Sequence, residues 1–286
     1  MNVILISEGG AISQGMLSQF SLRGRQMQLV SADRLSELDP ARLGDACVVD
    51  TGFVSGITAP AMSEPELVSL IEARQKFYAR CGEVGARLVL LSDGRVFDGM
   101  ADSPHAENSV PMPVSDVGEQ LRRLEDVLLV TAPGALVLRT SALISTQGDD
   151  FLGRCLAAFR EGRNLSLDHA VSACPTALPD LARVVSAIVD QLSCGASCAG
   201  IYHYTSSGQS TAYEFAEVVY AFASQLLDLP ISEEQALAVC DGGEGWHPLV
   251  PMMRCDGVLF DFGIKQLPWR SYLPKMIKAL CEELAK

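Results

Sequence analysis

Short apolar runs alternate with longer stretches of helical spacing through the first half of the chain. The runs predict strands near 3–7, 28–31, 46–50, 87–92 and 135–140. Val3-Ile4-Leu5-Ile6 and Leu88-Val89-Leu90-Leu91 are unbroken and short, as in a parallel sheet covered on both faces. Helices are predicted to begin between them near Ser13, Ser63 and Ser115. The last has Ser115 or Asp116 as its cap, followed by Val117, Leu121, Leu124 and Leu128 at helical spacing. Beyond about Ser145 the pattern is mixed, with helices near 149–161, 179–192, 211–227 and 271–284. Gly242-Gly243-Glu244-Gly245 reads as a loop, in a region punctuated by Pro230 and Pro248. The fold class expected is α/β: a doubly wound parallel sheet in residues 1–145 and a smaller mixed α/β lobe in 146–286.

Composition narrows the setting more than the chemistry. At 286 residues, 48% hydrophobic and 20% charged, the chain can bury one large core and a smaller one. A net charge of −13 argues against nucleic acid or an anionic membrane as a main partner. No secretory pattern and no apolar run of membrane-spanning length is present, so a cytoplasmic protein is expected. Nine scattered cysteines suggest reduced thiols rather than a disulfide framework. Cys194 and Cys198 lack both the two-residue gap and the matching ligand pair of a zinc knuckle, so no metal is expected.

Candidate chemistry gathers at strand ends. Ser92 and Asp93 close the fourth predicted strand and face the crevice where open α/β sheets bind ligands. Arg95 and Asp98 follow in the next turn, although Asp98-Gly99 also reads as a turn pair. Arg34, just past the second strand, could pair with an adenosine phosphate or sit on the surface; Asp33 is the alternative, toward a ribose hydroxyl. His203 in Ile201-Tyr202-His203-Tyr204 reads as structural, and Trp246-His247 as a lid or a packed loop anchor.

The segment Leu91-Ser92-Asp93-Gly94-Arg95-Val96-Phe97-Asp98-Gly99 resembles the Ser-Thr-x-Tyr-Val-Phe-Asp-Gly stretch of dTDP-4-dehydrorhamnose reductases, a branch of the extended short-chain dehydrogenase/reductases. Glu107, Pro111 and Pro113 match the family's approach to its Tyr-Gly-x-Ser-Lys helix, and Glu125 matches the glutamate after it. Further similarity lies at Arg139-Thr140-Ser141, at Pro175-Thr176 with Asp180-Leu181-Ala182, at Gly200–His203 with Tyr213-Glu214-Phe215, and from Arg254 to Trp269, where Cys255 replaces a proline.

This resemblance implies a Rossmann-like fold whose C-terminal lobe binds a sugar and is interleaved with the nucleotide domain. It places Ser7, Gly10 and Ser13 on the three glycines of the phosphate loop, so only Gly10 is kept. It places Arg95, Asp98, His169 and Thr176 toward the sugar pocket. It also places Val117 on the catalytic tyrosine, Leu121 on the lysine and Asp93 on the threonine, with Ser92 kept.

Those changes bear directly on the chemistry. Reduction of a sugar ketone by a nicotinamide needs a proton for the developing alkoxide, from a phenol whose acidity a nearby ammonium tunes. Valine and leucine supply neither, and losing a positioned general acid costs roughly 10²- to 10⁴-fold. Glu8, if directed inward about 5 Å from a phosphate, would add about 3 kcal/mol of repulsion. NADP or NAD binding is therefore expected to be weakened or lost.

Two readings follow. The first is a catalytically impaired homologue serving as a nucleotide- or partner-binding regulatory or scaffold protein, with a protein partner or a homodimer. The second is an active reductase or epimerase of a nucleotide sugar that uses Ser92, Asp93 or His169 as a non-standard proton donor.

Overall fold

The computed structural model describes residues 2–52, 63–99, 103–147, 150–246 and 252–284. His247 and Pro248 lie outside the described residues. Five strands, β1 (Asn2–Ile6), β2 (Met27–Val30), β3 (Ala46–Asp50), β4 (Arg87–Asp93) and β5 (Leu136–Thr140), form a parallel sheet completed by Gly200–His203. The order is β2, β1, β3, β4, β5, then Gly200–His203, so the winding direction reverses between β1 and β3. Ligand crevices of such sheets open at the carboxyl ends beside that reversal.

Burial explains why the apolar runs became strands. All five residues of β3 and of β5 are buried, as a sheet covered on both faces requires. Helix α1 (Gly10–Leu22) packs against α6 (Leu178–Ser193), with Gly15 so close that a methyl group there would lie 3.0 Å from Leu178 Cγ. The short α2 (Pro40–Leu43) leads into β3. Helix α3 (Glu64–Val84) packs on α4 (Asp116–Thr131), and Arg123 pairs with Glu64 at 2.9 Å. Ser63 and Glu66 form a capping box on α3, and Gly85 closes it in the left-handed region at φ 75°.

A second hydrophobic core is built by α5 (Phe151–Arg160), α7 (Ala212–Ala223) and the helix Leu273–Leu284. Phe151, Phe215 and Trp246 make mutual edge or tilted ring contacts there, and Phe215 also meets Trp269. Trp246 is thus a packed anchor. The sheet-centred core draws on α6, Tyr202, Tyr204 and residues from Met253 to Ile264 as well as the first half of the chain. Asp180, fully buried at the start of α6, accepts hydrogen bonds from Tyr204, Ser206 and Tyr272 at 2.7, 3.0 and 3.2 Å and pairs with Arg183 at 2.8 Å. Among the described residues, no helix is long and apolar enough to cross a membrane, and no cluster of three or more metal-ligating side chains occurs.

Candidate functional site

The carboxyl edge of the sheet begins with the turn after β1. Gly9 and Gly10 hold φ of 101° and 82°, a conformation other residues adopt only under strain. A methyl group built on either would meet nothing within 4 Å, so open space lies above the start of α1, which no side chain caps. Ser7 and Ser13, expected at the phosphate loop, turn their hydroxyls to each other and to Gly9. Ser7 and Ser13 are buried and bond each other at 2.5 Å, Ser13 donates to the Gly9 carbonyl at 3.0 Å, and Ser7 accepts from the Gly9 N–H at 3.3 Å. Their hydroxyls are consumed inside the loop. A free helix start behind a glycine turn fits a pyrophosphate, with Gly10 at its centre.

Glu8 does not point into that space as an unpartnered charge. Its carboxylate accepts from the Ala32 N–H at 2.9 Å, which bridges the tips of β1 and β2. Arg34 pairs with Glu37 at 2.8 Å, three residues on, with about two thirds of its side chain exposed, which is the surface placement given as its alternative. The neighbouring Asp33 accepts from the Ser31 hydroxyl. At the end of β3, buried Asp50 binds Arg74 Nε at 2.9 Å and the Tyr78 hydroxyl at 2.7 Å; burial, followed by the Asp50 charge, holds the Tyr78 phenol well above its usual range.

The end of β4 carries Ser92 and Asp93, with Arg95 in the turn that follows. Asp93 engages Arg95 through the backbone N–H at 2.7 Å, Nε at 2.9 Å and Nη2 at 2.7 Å. Arg95 itself is 5% exposed, so the pair closes the strand end on itself. Ser92 is buried, and its hydroxyl has no partner among the described residues. Ser115 caps α4 by accepting from the Gly118 N–H at 3.1 Å. A methyl group on Gly118 would lie 2.2 Å from the Arg95 carbonyl oxygen, which is why the helix approaches the β4 turn so closely only with glycine there. One residue before it, Val117 packs partly buried against the core, and Leu121, 1% exposed, is inside it. Both positions are apolar packing.

Behind that helix, Glu125 and Arg139 form a buried ion pair at 2.6 Å. The Arg139 guanidinium lies 5.1 Å from the centre of the Phe97 ring, which stacks on His105 at 4.0 Å. Arg139 Nη1 reaches His203 Nε2 at 3.5 Å, and His203 Nδ1 donates to the Arg254 carbonyl at 3.1 Å. This pattern assigns the neutral tautomer, with its proton on Nδ1. Burial, reinforced by the Arg139 charge, lowers the His203 pKa to about 3. The structural role read for His203 from sequence is the one its contacts give.

The remaining expected pocket residues do not converge on this edge as ligand-binding groups. Thr176 is fully buried; its hydroxyl donates to the Cys174 carbonyl at 3.0 Å and accepts from the Ser206 N–H at 3.2 Å. His169 is exposed on a loop, 3.8 Å from Asp241, while Asp168 accepts from the Val171 N–H at 3.2 Å. Asp98 is half-buried beside His105, and Gly99 at φ 69° makes the turn that the pair predicts. Sequence reasoning missed the Asp50–Arg74–Tyr78 cluster. Arg74 falls at helical spacing with Leu67, Ile71, Phe77 and Cys81, and a charge on an apolar stripe was the signal available.

A doubly wound parallel sheet with an open glycine turn at its first helix, and a polar strand edge beside a second lobe, defines a Rossmann-like protein. The chain belongs to the RmlD substrate binding domain family, which matches residues 1–282. It is 25% identical over 202 residues to a dTDP-4-dehydrorhamnose reductase of Sinorhizobium fredii, covering 70% of this chain and 68% of that one. It is 28% identical over 199 residues to methionine adenosyltransferase 2 subunit beta of Xenopus laevis, covering 68% of this chain and 58% of the relative. The structure of Bacillus anthracis dTDP-4-dehydrorhamnose reductase in complex with NADP shares the fold, with a TM-score of 0.76, 17% identity, and coverage of 97% and 98%. The family resemblance and the Rossmann-like fold expected from the motifs are therefore both met.

Proposed function

We propose that this chain is a member of the family that binds a nicotinamide dinucleotide without using it for reduction, and acts as a regulatory or scaffold protein toward a protein partner. The observation that carries this reading is the packing of Val117 and Leu121 at the family's tyrosine and lysine positions. Neither side chain exchanges a proton, and Leu121 is directed into the core. The open Gly9-Gly10 turn supports retained dinucleotide binding. That a relative is named as a subunit of another enzyme supports a protein partner.

The active-enzyme reading leans on substitute acids. Asp93 is tied to Arg95 and His169 is exposed beside Asp241, which leaves the buried Ser92 hydroxyl as its remaining support. A lone hydroxyl without a base or a cation is a poor proton donor at neutral pH.

A thermal-shift titration with NADH and NADPH tests the binding half. A ligand present at a hundredfold its dissociation constant adds about 2.7 kcal/mol of stability, and a clear rise in Tm with at least one dinucleotide is expected. No shift with either would contradict dinucleotide binding and leave only the scaffold role.

A further inference from the structure

The adenosine end of the proposed cleft is lined by negative charge. Glu8 is fixed at the tips of β1 and β2 by the Ala32 N–H, through one oxygen at 2.9 Å. Asp33 stands one residue further on, joined to Ser31. The nearby guanidinium groups have partners of their own: Arg34 pairs with Glu37 at 2.8 Å, Arg74 with Asp50 at 2.9 Å and, through its charge, with Glu8, and Arg80 with the Leu35 carbonyl at 3.3 Å and that of Leu38. In dinucleotide folds of this kind, a carboxylate at the end of the second strand accepts from the ribose hydroxyls, whereas an arginine there receives a 2′-phosphate.

We infer that Glu8 is a specificity residue that selects a dinucleotide with free adenosine-ribose hydroxyls over one bearing a 2′-phosphate, that is, NAD over NADP. This inference rests on the proposed reading that the Gly9-Gly10 turn holds a dinucleotide. Its basis is positional. The carboxylate is supplied by the turn after β1, and the Ala32 N–H holds it at the β2 tip, where a carboxylate of a dinucleotide fold accepts from ribose hydroxyls. A 2′-phosphate placed there would face the carboxylates of Glu8 and Asp33, while Arg34 is paired with Glu37 and Arg74 lies between the Asp50 and Glu8 charges. Like charges about 5 Å apart at an effective dielectric near 20 weaken binding by up to about a hundredfold.

The test is a fluorescence titration of NADH and NADPH against the wild-type chain, Glu8→Gln and Asp33→Asn, with folding of each variant checked by circular dichroism. Glutamine keeps an acceptor for the Ala32 N–H and removes the charge. Wild type is expected to bind NADH at least about tenfold more tightly than NADPH. Glu8→Gln is expected to tighten NADPH about tenfold while NADH changes less than about threefold, and Asp33→Asn to shift the ratio less. Equal affinities in wild type, or an unchanged ratio in a folded Glu8→Gln, would overturn the inference while leaving dinucleotide binding intact. Binding of neither dinucleotide by any of the folded proteins would overturn both.

Discussion

Asp93 grips Arg95 two residues away through both the backbone N–H and the guanidinium, at 2.7 to 2.9 Å, and so spends its carboxylate on the turn that ends β4. The Asp93 carboxylate is thereby a structural group. Asp93→Ala should lower stability by about 1–3 kcal/mol, since it strands a charge that is mostly buried. The same variant should leave any background nicotinamide oxidation unchanged. Urea denaturation alongside a steady-state assay checks both; loss of activity without loss of stability would restore Asp93 as a proton donor.

The Glu125–Arg139 pair lies deeper, with side chains 2% and 0% exposed. Glu125→Ala leaves a buried guanidinium uncompensated and should cost about 3–5 kcal/mol. Replacing both partners together, Glu125→Leu with Arg139→Met, should recover most of that loss in a denaturant titration.

Gly118 marks where α4 meets the β4 turn. Gly118→Ala drives a methyl group to 2.2 Å from the Arg95 carbonyl, so the helix must retreat. A loss of about 1–3 kcal/mol is expected, despite alanine's better helix propensity. A neutral or stabilising result in thermal unfolding would mean that this contact is loose.

His203 gives stability a pH dependence of known sign. Its folded pKa, about 3, lies below the ordinary 6.5, so the unfolded chain takes up the proton first. The contribution is fully present above about pH 6.5 and is lost as pH falls toward 3, at up to about 1.4 kcal/mol per unit. His203→Gln should flatten that slope relative to wild type in urea melts between about pH 4 and 7. Parallel slopes would show that the imidazole is not desolvated.

Much of this was legible because local signals are short-range. Ser63 and Ser115 cap the helices they were expected to begin, and β1 to β5 fall where the apolar runs lie. Helix α1 starts at Gly10 rather than Ser13, because Ser13 is turned inward to Ser7 and Gly9 instead of capping. Val117 and Leu121 could be located by their spacing from the β4 motif, and their burial follows from the same helical periodicity. Thr176 could not be read this way. Its role depends on Ser206, 30 residues away, just as Asp50 depends on Arg74, 24 away, and pairing across the fold leaves no periodic trace. The direction of Glu8 was likewise hidden, since it is decided by one backbone N–H at the end of a neighbouring strand.

Hydride transfer itself is the most direct test of binding without reduction. Excess protein is mixed with NADH or NADPH and dTDP-4-dehydrorhamnose, and nicotinamide absorbance is followed through a single turnover. The absorbance should stay flat with either dinucleotide, even where thermal shift reports that the dinucleotide is bound. Stoichiometric loss of the reduced nicotinamide, at a rate above that without protein, would contradict the account.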